Sequence, residues 1–146
     1  PKRDSMILQI KRLTPTAKLP IRAHNTDAGY DWFADEDLFI PPQERVCVST
    51  GIAMAIPQGY AGLFWDRSSM AVKFGITTLA GVIDAGYRGE VKIALYNTTQ
   101  EPFKIEKGMK IAQMLIKKVE SFTVTEVESL DDTNRGAGGF GSTGTH

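Results

Sequence analysis

From Val46 the large apolar side chains fall on alternate positions, Val46, Val48, Ile52, Met54 and Ile56, while Cys47, Ser49, Gly51, Ala53 and Ala55 stand between them. A repeat of two puts successive side chains on opposite faces of an extended strand, whereas a helix needs apolar positions about 3.6 apart. The segment therefore reads as strand, with one large-residue face and one small-residue face. Similar runs occur at Ile7–Leu13, Gly89–Tyr96 (Val91, Ile93 and Leu95 on one side), Ile111–Val119 and Phe122–Val127. Pro41-Pro42, Pro57-Gln58-Gly59, Asp84-Ala85-Gly86, Glu101-Pro102 and Lys107-Gly108 punctuate these runs as turns. Short strands at such spacing predict an all-β sandwich, barrel or jelly roll. Arg67–Phe74 is the exception: hydroxyl residues suited to an N-cap open it and Gly75 suits its C-cap, which predicts one short helix.

With 146 residues, 42% of them hydrophobic, the chain can bury one real core and reads as one domain. Its 17 Lys and Arg balance 17 Asp and Glu, so it lacks the basic footprint of sequence-independent nucleic-acid or membrane-surface binding. Any anion it binds must be met locally. Cys47 is the sole cysteine, which excludes an intrachain disulfide and a Cys-based zinc site and fits a reducing compartment. His24 and His146 are too few for a histidine metal cage and poorly placed for a Ser-His-Asp triad. His24, among polar residues, is expected to be exposed, and Cys47 to be a small strand side chain. The uncharged run between Arg45 and Asp66 is cut by Pro57-Gln58-Gly59 and reads as two strands and a turn, not a membrane span. Pro1-Lys2-Arg3-Asp4-Ser5 is charged and leads into no long apolar region, so no secretory signal is visible. The expected location is the cytoplasm, unless a segment outside this sequence directs the chain elsewhere.

After about Leu130 the composition turns to glycine and small polar residues, which cannot bury enough surface to fold alone. Residues 1–130 are thus expected to form the β-domain and 131–146 a flexible tail. The tail's backbone N–H groups, with Ser142, Thr143 and the forked cation of Arg135, could wrap phosphate oxygens. It is not a Walker A loop, since the Gly-Lys-Ser/Thr ending is missing. Phe140, a lone aromatic with no core to join, suits stacking on a flat ligand such as a nucleobase.

Gly81-Val82-Ile83-Asp84-Ala85-Gly86-Tyr87-Arg88-Gly89 reads as a hairpin turned at Asp84-Ala85-Gly86, with glycines that let a ligand approach the backbone. Asp84 either caps its own turn or, ionised, accepts a proton from an attacking water. Three further segments, Ala28-Gly29-Tyr30-Asp31, Arg67-Ser68-Ser69 and Gly108-Met109-Lys110-Ile111-Ala112-Gln113, are individually weak: Asp31 could be a turn residue, Ser68 a helix cap and Gln113 a solvated strand residue.

These five segments, in this order, closely resemble the five motifs of the trimeric dUTPase (dUTP nucleotidohydrolase) family, from about Ala28 to Gly144. The most specific matches are Gly-Val-Ile-Asp-x-x-Tyr-Arg-Gly and Arg-Gly-x-Gly-Gly-Phe-Gly-Ser-Thr-Gly. The resemblance implies a distorted jelly-roll or β-clip fold and hydrolysis of dUTP to dUMP and pyrophosphate, which keeps uracil out of DNA and supplies dUMP for dTMP synthesis. It implies that Asp84 activates the water that attacks the α-phosphorus, and that Asp31 holds waters of a Mg²⁺ ion chelated by the three phosphates. Arg67, Ser68, Ser69 and Gln113 would bind phosphate oxygens, and Arg135, Gly141, Ser142 and Thr143 would close over the β and γ phosphates. Tyr87 would pack on the deoxyribose and exclude a 2′-hydroxyl, and Phe140 would stack on uracil. The main chain at Gly81, Val82 and Ile83 would read the base edge and leave no room for the 5-methyl of thymine. The resemblance also implies a homotrimer in which the tail of one subunit closes a site built by the other two.

Three departures bear on this resemblance. The second motif usually reads Pro-Arg-Ser-Gly-x-Ala, and here it is Asp66-Arg67-Ser68-Ser69-Met70-Ala71. Its Arg-Ser-Ser, like Asp84-Ala85-Gly86, looks like the related dCTP deaminases. The deaminases, however, carry a catalytic Glu where this chain has Ala94 and an Arg where it has Val72, so deamination ranks below hydrolysis. Trp32 replaces the usual Leu. A rival of another class is a nucleotide-binding module that signals without turnover, which the presence of Asp31, Asp84 and the full tail disfavours.

Overall fold

The computed structural model describes residues 6–144; the charged segment Pro1–Ser5 and the tail's last residues, Thr145 and His146, lie outside the described residues. Its strands are β1 (Gln9–Arg12), β2 (Tyr30–Phe33), β3 (Leu38–Ile40), β4 (Arg45–Ser49), β5 (Ile52–Ala55), β6 (Tyr60–Trp65), β7 (Ile76–Leu79), β8 (Val82–Ile83), β9 (Lys92–Asn97), β10 (Phe103–Ile105) and β11 (Lys110–Lys118). They pair antiparallel in four sheets, β1-β5, β10-β3, β2-β11-β6-β8 and β4-β9-β7. Neighbours in a sheet are mostly distant in sequence, as an all-β jelly roll requires.

The four sheets share one core. Val48, Ile52, Met54 and Ile56, the large-residue face read from the sequence, are buried, and Cys47 on the opposite face of β4 is exposed. Val91, Ile93 and Leu95 are buried beside them, with Ile40 and Ile105 from the β10-β3 pair. Trp32 of β2 is 1% exposed and meets Phe64 of β6 edge to face, with ring centroids 5.2 Å apart. That geometry sets the positive ring edge against the negative ring face. His24 is exposed as expected.

Three local expectations change. Phe122–Val127 forms no strand, and Phe122 and Val124 are 83% and 96% exposed. A strand needs a neighbour for its N–H and C=O groups, and after Val119 N–H donates to the Gly59 carbonyl (2.8 Å) the chain leaves the body. The expected helix shrinks to one π-helical turn, Ser69–Lys73, ended by Gly75 at φ 68°. Ser68 sits before it but makes no side-chain cap. At Asp84-Ala85-Gly86 the turn forms, with Tyr87 N–H donating to the Asp84 carbonyl (3.1 Å), but the arms do not pair as a hairpin: β8 joins β6, and β9 joins β4 and β7.

Among the described residues no helix is long and apolar enough to cross a membrane. Trp32→Ala would remove the largest fully buried side chain, and its expected cost is about 3–5 kcal/mol, read as a lower denaturant midpoint with an unchanged slope.

Candidate active site

Strand register builds the first cavity. Gln113 of β11 stands opposite Asp31 of β2 on one side and Trp65 of β6 on the other. Three strands thus place Asp31, Gln113 and the end of β6 in one row, and Asp66 and Arg67 follow directly from that end. Asp31, Arg67, Ser68, Ser69 and Gln113 line a cavity of about 190 Å³. The π-helical turn leaves the hydroxyls of Ser68 and Ser69 exposed, and neither makes a hydrogen bond among the described residues.

Asp31 carries two cations. Its carboxylate lies 3.3 Å from Arg67 Nε and 3.5 Å from Lys110 Nζ. Lys110 was not singled out by its sequence context; a register shift between Lys110 and Ala112 lets β11 keep pairing with β2 around it. Gln113 Nε2 donates to the Asp66 carbonyl at 2.9 Å. Gly29 is a second residue that sequence reading passed over: a Cβ there would fall 2.4 Å from Gln113 Oε1, so only glycine lets the amide lie where it does.

Asp66 is the third. Its carboxylate accepts from Thr77 Oγ1 (2.6 Å), Thr78 N–H (2.6 Å) and Thr78 Oγ1 (2.7 Å). Burial pushes its pKa up, but the three bonds together outweigh that and hold the carboxyl below its ordinary 3.8.

The second cavity, about 320 Å³, is lined by Val82, Ile83, Asp84, Tyr87, Glu90, Val91 and Lys92. Gly81 has φ 110°, a backbone region costly for other residues, and its carbonyl accepts from Phe64 N–H at 2.9 Å. Tyr87 Oη donates to the Glu90 carbonyl (2.7 Å), and a Cβ on Gly89 would lie 2.6 Å from that hydroxyl. The hydroxyl end of the ring therefore lies close against the glycine. Asp84 is exposed and its carboxylate makes no hydrogen bond among the described residues, so it does not cap its own turn.

The two cavities share no lining residue. Ile83 pairs with Gly62 and Val82 with Leu63, so continuing the register sets Asp84 level with Ala61, and the two line a common hollow. From Ala61 to Trp65, the residue level with Gln113 and Asp31, β6 runs about 13 Å at the usual rise of roughly 3.3 Å per residue. One chain therefore does not bring Asp84 to Asp31 and Arg67. The tail residues stand apart from both cavities: Arg135 Nε donates to the Gly138 carbonyl (2.6 Å), and Ser142 N–H to that of Gly139 (3.1 Å). Phe140 is fully exposed, and among the described residues no hydrogen bond joins 122–144 to the body.

The dUTPase family model matches residues 16–144. The chain belongs to the dUTPase family. It is 50% identical over 142 residues to the deoxyuridine 5'-triphosphate nucleotidohydrolase of Clostridium kluyveri, covering 96% of this chain and 99% of that one. Among solved structures, a mutant dUTPase of Staphylococcus bacteriophage 80alpha with dUpNHpp superposes with a TM-score of 0.91 at 32% identity, covering 97% of this chain and all (100%) of that chain. A mutant dUTPase from phage phi11 of S. aureus, described with a structural Mg(II) ion, gives a TM-score of 0.81 at 31% identity, covering 85% and 98%.

The depressed pKa of Asp66 has a measurable sign. A carboxyl whose folded pKa lies below its unfolded one adds stability that is complete above the unfolded value and fades as pH falls through the folded one. Urea unfolding of wild type and Asp66→Asn is expected to show a constant stability gap from pH 7 down to about pH 4 and a narrowing gap below.

Proposed function

We propose that this dUTPase-family chain hydrolyses dUTP to dUMP and pyrophosphate in a site shared between copies of itself. The observation that carries the reading is the separation along β6: the anion-binding row and the Asp84 turn are each well formed, yet lie about 13 Å apart along that strand in one chain. Juxtaposing the Asp84 turn of one subunit with the Asp31 row of another completes the site, and a homotrimer supplies each half three times. The tail, whose described residues 131–144 make no hydrogen bond to the body, reaches a third subunit.

Substrate recognition divides accordingly. Arg67, Ser68, Ser69 and Gln113 offer the triphosphate one cation and several neutral donors. Gly81, Val82 and Ile83 present main-chain groups to uracil, with too little room for a 5-methyl, and Tyr87 packs on the deoxyribose where a 2′-hydroxyl would clash. Clash rejects a larger substrate more strongly than a spare methylene attracts one. Phe140 stacks on the base, while Arg135, Gly141, Ser142 and Thr143 cover the β and γ phosphates and exclude water, as a lid does.

In the reaction a water oxygen bonds to the α-phosphorus, the bond from that phosphorus to the bridging oxygen breaks, and pyrophosphate departs. Asp84, exposed and free of internal bonds, takes the water's proton. Phosphoryl hydrolysis rests on positioning and charge neutralisation more than on covalent chemistry, so one base and several donors suffice.

A Mg²⁺ ion fits this donor set. Among the described residues no three His, Cys, Asp or Glu side chains cluster as a metal cage, and Mg²⁺ commonly keeps its waters and binds through one carboxylate plus substrate phosphates. Asp31 would hold such an ion through water, and the ion would supply charge neutralisation on the phosphates. Ala94, half-buried in β9, offers no carboxylate for proton shuttling at a cytosine ring, which disfavours deamination. The exposed, lone Cys47 supports a reducing, cytoplasmic setting.

Asp84→Asn is expected to keep dUTP binding while cutting turnover by about 10²-fold or more, followed as pyrophosphate release; near-normal kcat would remove Asp84 from the role of base. Ending the chain before Arg135 should leave a folded trimer by light scattering but greatly reduced kcat/KM. Undiminished kcat/KM in that truncation would overturn the lid.

A further inference from the structure

The phosphate-binding segment is held by a residue that binds no phosphate. We infer that Asp66 is a positioning residue that fixes Arg67, Ser68, Ser69 and Gln113 for the triphosphate. The inference rests on the dUTP reading above and concerns only the phosphate half of the site.

Asp66 works in two directions. Its carboxylate is clamped at 2.6–2.7 Å by three donors on Thr77 and Thr78 at the start of β7, which ties the end of β6 to a strand of another sheet. Its carbonyl accepts from Gln113 Nε2, which orients that amide within the row shared with Asp31. The next residue, Arg67, reaches Asp31. Between β6 and the π-helical turn the backbone has no ladder to hold it, so Ser68 and Ser69 take their position from this clamp and from Gly75 beyond.

The opposite side of the segment is firmly packed. Met70 is buried in the core at 4% exposure, and Ala71 N–H donates to the Arg67 carbonyl at 3.0 Å. Losing the clamp therefore leaves the turn folded but frees its first residues to rotate. The loss falls on groups that hold phosphate in both ground and transition states, which predicts a rise in KM more than a fall in kcat.

The nucleoside half supplies the internal control, because its contacts run through β8 and Tyr87 and not through Asp66. In the full-length protein with Mg²⁺, Asp66→Ala is expected to raise the KM for dUTP and the inhibition constant for pyrophosphate about tenfold, with kcat within about threefold of wild type. The inhibition constant for deoxyuridine should stay within about twofold. Thr77→Val with Thr78→Val removes two of the three donors while keeping the carboxylate, and should move the same two constants in the same direction; it carries the test if Asp66→Ala does not fold. An unchanged KM in the variants, or a deoxyuridine constant that weakens in step with KM, would overturn the positioning role. A wild-type protein that binds deoxyuridine and pyrophosphate but releases no pyrophosphate from dUTP would instead overturn the functional reading, and the dissociation constants for pyrophosphate, measured by calorimetry on wild type and variants, would still decide the role of Asp66.

Discussion

The length of β6 governs this molecule. The strand pairs with β11 along its whole run and with β8 only near its middle, so whatever β8 carries is held away from whatever follows Trp65. Backbone pairing is rigid on this scale, because every shift of register would turn buried side chains outward and strand hydrogen-bonding groups. The two half-sites therefore cannot drift together within one chain. Their separation is a property of the core, and under the proposed function it is assembly of several copies that unites them.

Electrostatics explains how a chain with formal net charge zero can accept a ligand with three phosphates. Arg67, which lines the cavity, and Lys110, beside it, both lean on Asp31, so two positive charges flank one negative charge there. Partly exposed ion pairs of this kind contribute little to stability, since water screens them. Their value lies in readiness. Under the proposed function Arg67 would exchange a carboxylate oxygen for a phosphate oxygen with little change of place, while Lys110 stays with Asp31. Without long-range steering, recognition depends on such short contacts, together with hydroxyls that the π-helical turn leaves unspent.

Much of this was legible in the sequence. Period-two alternation located the buried faces of β4, β5 and β9 because in these sheets one face meets the core, and the turn dipeptides marked where ladders end. The side chains proposed to carry the chemistry, Asp31, Arg67, Ser68, Gln113 and Asp84, are legible there because each lies within one of the five short motif segments. What Asp66, Lys110 and Gly29 do is not legible there. Their importance comes from contacts across strands, Asp66 to Thr77 and Thr78, Lys110 to Asp31 and Gly29 to Gln113, and no spacing along one chain encodes those. Phe122–Val127 was misread for the related reason that alternation supplies a face but not the neighbour that makes a strand.

The same distinction illuminates the second motif. Where the family usually has proline, this chain has Asp66, and the two residues solve one problem by different physics. Proline restricts the backbone dihedral φ covalently, lowering the entropy of the unfolded chain whatever its surroundings. Aspartate restricts it through three hydrogen bonds that exist only when β7 is in place. The aspartate solution makes the phosphate segment conditional on the tertiary fold and hence cooperative with it. The Asp66 carbonyl, which any residue would supply, accepts from Gln113, so the end of β6 and a side chain of β11 are tied to the same residue.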